Sequence, residues 1–150
     1  TITTHHLLEN TYTFLGGSLR PELFCKPIIK NYSHQSELQK VALSGHRQFF
    51  FGSDSAPHLK KVKFTEFCCA GVYSTKYAIS NILEFFWLNK KTANLNKFLT
   101  INGSNHYDLD FDKKVLSYKR NKKSKFQKFT KFEDDFLINY NHYNNLWTQV

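Results

Sequence analysis

The feature that most limits what this chain can become is a short apolar run that opens into a polar, glycine-led loop. Gln48-Phe49-Phe50-Phe51 is bounded by polar and glycine residues, and Gly52-Ser53-Asp54-Ser55-Ala56-Pro57-His58 follows it directly. An unbroken apolar run of this length suits a strand buried on both faces, as in a parallel sheet. Such a strand needs helices to cover it, and the flanking sequence supplies them. Ser33 to Ser44 reads as a helix, with Leu38, Val41 and Ala42 on one face, Ser33 as its N-cap and Gly45 as its stop. Ser74 to Leu88 reads as a second helix, rich in apolar and aromatic residues. Thr92 to Leu99 reads as a third, with Leu95, Phe98 and Leu99 on one side. The β-branched opening Thr1-Ile2-Thr3 reads as the tail of a strand. Helix, buried strand, loop and helix make a β/α unit rather than a whole fold. A complete (β/α)8 barrel takes about 250 residues, and this chain has 150. It starts at Thr1 and contains no methionine, so it reads as a fragment.

The rest of the chain has less pattern. Lys60 to Gly71 looks irregular. From Asn102 the composition shifts: Asp108 to Asp112 is polar and turn-prone, and Lys113 to Lys131 is strongly basic. The basic stretch reads as a solvated extension with two short strands, Val115 to Tyr118 and Phe126 to Phe129, before Phe136 to Val150 closes the chain. The expected organisation is therefore a single partial domain, with Thr1 to Ile101 as a barrel remnant and Asn102 to Val150 as a C-terminal extension.

Charge and cysteine content exclude several classes. The net charge is +9, which raises nucleic acid or an anionic membrane as a partner. Yet Lys outnumbers Arg 18 to 3, alongside 13 Asn, 15 Phe and 8 Tyr. Base reading and bidentate phosphate contacts favour Arg, so the excess reads as compositional drift and no nucleic-acid partner is expected. No apolar stretch approaches the ~20 residues a membrane span needs. The three cysteines, Cys25, Cys68 and Cys69, are odd in number, include an adjacent pair and show no CxxC spacing. That pattern points to free thiols in a reducing cytoplasm.

Asp54 is the strongest candidate for chemistry. It stands where a buried strand opens into a loop of small neighbours, a position from which a carboxylate can bind a metal and move a proton. An aspartate there also commonly makes a turn or caps the next element. His58, four residues on, is weaker, since loop histidines are often plain surface residues. His5 and His6 are a tempting metal pair, but neighbours on a strand point to opposite faces. One is expected to be structural and the other exposed. His34, His46, His106 and His142 show no ligand spacing.

Several blocks, in order, resemble the dihydroorotase family of the bacterial and yeast type, within the amidohydrolase superfamily. Thr1 to Leu8 resembles its strand-seven segment, usually TITPQHL. Gly16-Gly17-Ser18-Leu19-Arg20-Pro21 and Cys25-Lys26-Pro27-Ile28-Ile29-Lys30 resemble the loop that follows. Phe51 to His58 resembles the GTDSAPH signature at the end of strand eight, and Cys69-Ala70-Gly71 the CAG element after it. Asn102-Gly103 with Tyr107 resembles the NGPxFY stretch, and Leu146-Trp147 a motif near the family's C-terminus. The chain departs from the pattern at Thr4 and Ser104, where the family usually has proline, and in a cysteine run reduced to Cys68-Cys69.

The resemblance implies an α/β fold, the C-terminal part of a TIM barrel, comprising the end of strand seven, strand eight and the following helices plus an extension. It implies a reversible hydrolysis of (S)-dihydroorotate to N-carbamoyl-L-aspartate in pyrimidine synthesis, with two zinc ions (Zn2+) in the complete site. Asp54 matches the aspartate that ligates zinc and carries the proton. His58 matches a residue on the substrate carboxylate. Ala70 matches a substrate contact, and Lys26 a position, usually Leu, that holds the pyrimidine ring through its backbone. The family's remaining zinc ligands lie upstream of the matched region. A small-molecule substrate, a cytoplasmic location and a homodimer of the complete protein are the corresponding expectations, with the isolated chain inactive. The alternative is a non-catalytic dihydroorotase-like domain that serves binding or assembly.

Overall fold

The fold is described by a computed structural model covering residues 1–110, 114–122 and 124–150. The turn-prone stretch expected at Asp108 to Asp112 and the basic run from Lys113 to Lys131 lie partly outside those residues. The expected strand at the start of the chain is only one bridge long. Ile2 pairs in parallel with Phe51, its amide donating to the Phe50 carbonyl at 2.9 Å and its carbonyl accepting from the Gly52 amide at 3.1 Å. Thr3 then turns the chain into helix α1 (Thr4–Leu8), its hydroxyl accepting from the His6 amide as an N-cap. Helix α2 (Thr11–Leu15) follows at once, capped reciprocally by Asn10 and Thr13.

Helix α3 (Tyr32–Ser44) covers the region expected to be helical, but its N-cap is Asn31, not Ser33. The Asn31 Oδ1 accepts from the His34 amide at 3.2 Å and from the Ser33 hydroxyl at 2.8 Å, so Ser33 supports the cap from inside the helix. Gly45 ends the helix in the left-handed conformation, φ 71°, as its position in the sequence suggested. The run that follows packs against the core, but the strand expected there is reduced to a single bridge at Phe51. Phe50 is in the interior, Phe49 and Phe51 are half-buried against the core, and Phe51 bridges in parallel to Ile2.

After a single turn, α4 (Lys60–Lys63), comes the central helix α5 (Thr75–Leu88). Every residue from Ser80 to Phe86 is buried, so this helix lies inside the molecule rather than on it. The helix expected from Thr92 to Leu99 breaks into a 3-10 turn (Thr92–Asn94) and a π-helical turn (Lys97–Ile101) that runs into α6 (Asn102–His106). The break has a visible cause. The Phe98 carbonyl accepts from the Phe51 amide at 2.8 Å, and the Asn102 amide reaches back to Lys97 instead.

Among the described residues, the C-terminal region holds two antiparallel pairs, β1 (Tyr118–Asn121) with β4 (Leu146–Gln149) and β2 (Phe129–Phe132) with β3 (Asp135–Ile138). Both expected strands thus begin three residues later than their apolar content suggested. Val115 and Leu116, which attracted the expectation, are exposed. Register follows polar anchors instead. Arg120 on β1 grips Glu84 of α5, and the Trp147 amide on β4 donates to the Ser80 hydroxyl at 2.8 Å. Among the described residues, two apolar clusters form the interior. The larger joins Ile2, Leu7, Leu8 and Ala42 to Ile82, Phe85, Phe86 and Phe98. The smaller joins Phe14, Leu23, Cys25, Ile29 and Val72 to Tyr140. Through Tyr140 the closing segment of the chain packs into the interior.

Candidate functional site

Asp54 occupies the mouth of the Ile2–Phe51 bridge. Its backbone is left-handed, φ 37°, a conformation that costs an ordinary L-residue on the order of 1 kcal/mol or more and clusters at functional sites. Its neighbours impose that geometry. The Ser53 carbonyl accepts from the Ser74 hydroxyl at 3.2 Å, and the Ser55 hydroxyl accepts from the Ser74 and Thr75 amides, each at 3.1 Å. Both flanks of Asp54 are therefore tied to the start of α5, while the Asp54 side chain itself is exposed.

The loop then closes on the segment before α5. Ser55 bridges in parallel to Val72, and the Ala56 amide donates to the Val72 carbonyl at 3.0 Å. The His58 Nε2 donates to the Ala70 carbonyl at 3.0 Å. Gly71 makes this closure possible. At φ 148° it leaves no room for a side chain, since a Cβ there would sit 2.6 Å from the Ala56 Cβ and 2.8 Å from the His58 Nε2. Its amide donates to the Phe24 carbonyl at 2.8 Å, bringing the Phe24–Lys26 strip alongside. Lys63 ties the same strip down, its buried ammonium donating to the carbonyls of Phe24 at 2.9 Å and Cys69 at 2.8 Å. Burial lowers the pKa of Lys63, while the Cys68, Cys25 and Cys69 thiols oppose that shift.

The structure thus brings His58 and Ala70 into direct contact and carries the Lys26 segment to the edge of the same loop through Phe24 and Gly71. Lys26 itself is exposed. The sequence sets Ser55 and Gly71 inside the family-like blocks and Ser74 at the start of a helix, but nothing in it marks these residues or Lys63 as the ones that hold the loop, because each acts on a residue distant in sequence.

His5 and His6 correct the sequence expectation. They lie on helix α1, not on a strand, and their ring centroids are 4.7 Å apart. His5 is fully buried and His6 half-buried. Burial pushes the His5 ring down to about 3, with His6 adding to the shift and Glu9 opposing it. Nearby, the buried Glu9 carboxylate accepts from the Tyr140 hydroxyl and the His142 Nδ1, each at 3.0 Å. Burial raises its pKa, but those bonds, with one from Thr13, hold it below the ordinary value.

No family model matches the chain. Solved structures give the class. The Campylobacter jejuni dihydroorotase crystal structure superposes with a TM-score of 0.85 at 34% identity, covering 100% of this chain and 44% of that one. The Saccharomyces cerevisiae dihydroorotase, solved with 5-fluoroorotic acid, gives 0.84 at 33% identity, covering 99% and 42%. The fold is therefore that of the TIM-barrel amidohydrolases, in part. Sequence relatives narrow this further. A Jannaschia dihydroorotase is 45% identical over 109 residues, 73% of this chain and 31% of the relative. A Vibrio cholerae dihydroorotase is 40% identical over 117 residues, 78% and 34%. The chain is homologous to the dihydroorotases and spans about a third of the length of these curated relatives. Among the described residues, no helix is long and apolar enough to cross a membrane.

Proposed function

We propose that the complete protein to which this chain belongs is a zinc-dependent dihydroorotase, hydrolysing the ring amide of (S)-dihydroorotate reversibly to N-carbamoyl-L-aspartate in pyrimidine synthesis. The observation that carries the reading is Asp54: an exposed carboxylate on a left-handed backbone, just after the parallel Ile2–Phe51 bridge, with both neighbours clamped to the start of α5. An exposed carboxylate oxygen is a suitable donor for a hard or borderline cation, so the residue fits a zinc ligand. When bound, zinc polarises the scissile carbonyl and makes water a competent nucleophile near neutral pH.

Asp54 accepts the proton lost by the attacking water at a carboxylate oxygen and delivers it to the leaving ring nitrogen. One carboxylate serves both directions, because the reverse reaction retraces the same transfer. His58 binds the substrate carboxylate, its ring oriented by the Ala70 carbonyl. Ala70 contacts the substrate, and Lys26 holds the pyrimidine ring through its backbone, which leaves its exposed ammonium free to vary. The remaining ligands come from other parts of the complete protein, so the isolated chain is inactive. The same family reading places the enzyme in the cytoplasm as a homodimer.

The test is Asp54→Asn in the complete protein, which keeps the loop's size and removes the charge. Turnover of dihydroorotate falls by at least about 10³-fold, the scale expected when a residue serves both ligation and proton transfer. Near-normal turnover from that variant, or measurable turnover from the 150-residue chain alone, refutes the assignment.

A further inference from the structure

The geometry points to a metal site built from side chains that the proposed active site does not use: His5, His6 and Cys25, binding a thiophilic divalent ion of the zinc class. One ring nitrogen of each histidine and the Cys25 Sγ all lie within 4.8 Å of one another. The His6 Nε2 is 3.8 Å from the Cys25 Sγ. Around a tetrahedral zinc, with Zn–N near 2.0–2.1 Å and Zn–S near 2.3 Å, donor atoms stand about 3.3–3.6 Å apart. The observed trio closes to that geometry with small side-chain movements.

A separate observation is that one member of the trio lacks a partner. His5 is fully buried, yet among the described residues neither its Nδ1 nor its Nε2 has a hydrogen-bond partner. Buried polar atoms are almost always paired, and an imidazole kept only for packing still binds something through one nitrogen. The neighbouring Thr4 Oγ1 is buried and unpartnered as well. A metal ion satisfies the His5 ring directly.

The surroundings suit ligation. The His6 Nε2 donates to the Pro27 carbonyl at 2.9 Å and the Cys25 thiol to the same oxygen at 3.4 Å, so the two ligand atoms already lie side by side, and ligation replaces their bonds to that carbonyl. The His6 Nδ1 meets the Thr3 hydroxyl at 2.8 Å. On binding, the thiol proton is released to solvent. His6 moves its ring proton to Nδ1 and donates to Thr3 Oγ1, the outer contact that orients a ligating histidine. Two imidazoles and a thiolate select zinc-like ions over calcium or magnesium, and a three-ligand set leaves a fourth position for water or a small ligand.

Cobalt(II) replaces zinc at such sites and reports sulfur ligation by a thiolate-to-metal charge-transfer band in the near ultraviolet. In the complete protein loaded with cobalt, the band is present. It is abolished in Cys25→Ser and in His5→Gln, each with the loss of about one cobalt per chain. It persists in the Cys68→Ser/Cys69→Ser double variant and in Asp54→Asn, so this site stands or falls apart from the active-site reading. His5→Gln preserves bulk and polarity at the buried position, and an unchanged circular dichroism melt shows that its effect is on ligation and not on folding. A wild-type protein without the band overturns the site. So does a band that survives Cys25→Ser or His5→Gln, or one that disappears in the Cys68→Ser/Cys69→Ser variant or in Asp54→Asn.

Discussion

Glu84 offers the sharpest test of how the C-terminal strands are held. Its carboxylate is buried on α5, with a side chain only 1% exposed, and it meets four donors. Oε2 accepts from the Arg120 Nε and the Trp147 Nε1, each at 2.8 Å. Oε1 accepts from the Arg120 Nη2 at 2.5 Å and the Asn145 Nδ2 at 3.1 Å. Arg120 also lies over the Trp87 ring, 4.0 Å from its centroid. Glu84→Gln keeps the shape but offers one acceptor oxygen and turns a donor toward the other pair. In either flip, two of the four donors lose their acceptor. Leaving a neutral buried donor unpaired costs about 1–3 kcal/mol, and weakening a charge-assisted bond about 1.5–3 kcal/mol, so Glu84→Gln destabilises by about 2–4 kcal/mol in total, since the terms are not additive.

The pH dependence supplies a second readout. The bonds from Arg120, foremost, with those from Trp147 and Asn145, hold the folded-state pKa of Glu84 below its ordinary 4.5 despite the opposing effect of burial. A carboxyl with a depressed folded pKa stabilises fully above its unfolded pKa and loses that contribution as pH falls through the folded one. The stability gap between wild type and Glu84→Gln is therefore complete at neutral pH and narrows below about pH 4.5. Urea unfolding of the complete protein, followed by tryptophan fluorescence because Trp147 reports on the site, measures both. A neutral-pH difference under about 1 kcal/mol, or a gap that fails to narrow in acid, refutes the view that this carboxylate fastens the strands to α5.

Phe86→Ala removes a fully buried ring from the larger cluster and costs about 3–5 kcal/mol in the same unfolding assay. Tyr140→Phe deletes the hydroxyl that donates to Glu9 and costs about 1.5–3 kcal/mol, because the acceptor is ionised. Gly71→Ala places a methyl group 2.8 Å from the His58 Nε2 at φ 148°. If His58 binds the substrate carboxylate, KM for dihydroorotate rises by about tenfold or more, equivalent to about 1.4 kcal/mol, while kcat changes less. An unchanged KM separates the glycine from the substrate pocket.

What the sequence disclosed and what it hid divide along a physical line. The burial of the Phe49–Phe51 run, the Asp54 loop after it and helix α5 were legible because burial writes apolar runs and such a loop writes glycine and small polar residues, although the expected strand itself shrinks to one bridge at Phe51. Gly45 was legible as a helix stop because few other residues tolerate φ 71°. The misreadings arose where a distant polar partner outweighed local pattern. Val115 and Leu116 drew the expected strand toward themselves, yet Arg120 fixes its place through Glu84, 36 residues away. The Thr92 to Leu99 helix was broken by the Phe51 amide taking the Phe98 carbonyl. At the chain's start, β-branched Thr1-Ile2-Thr3 pointed to the tail of a strand, with His5 and His6 set as strand neighbours, but Thr3 is an N-cap, and the helical turn it opens brings His5 and His6 close to Cys25. A strand would have set the two histidines on opposite faces, so the side-chain grouping that suggests a metal depends on a single threonine hydroxyl accepting the His6 amide at 3.3 Å.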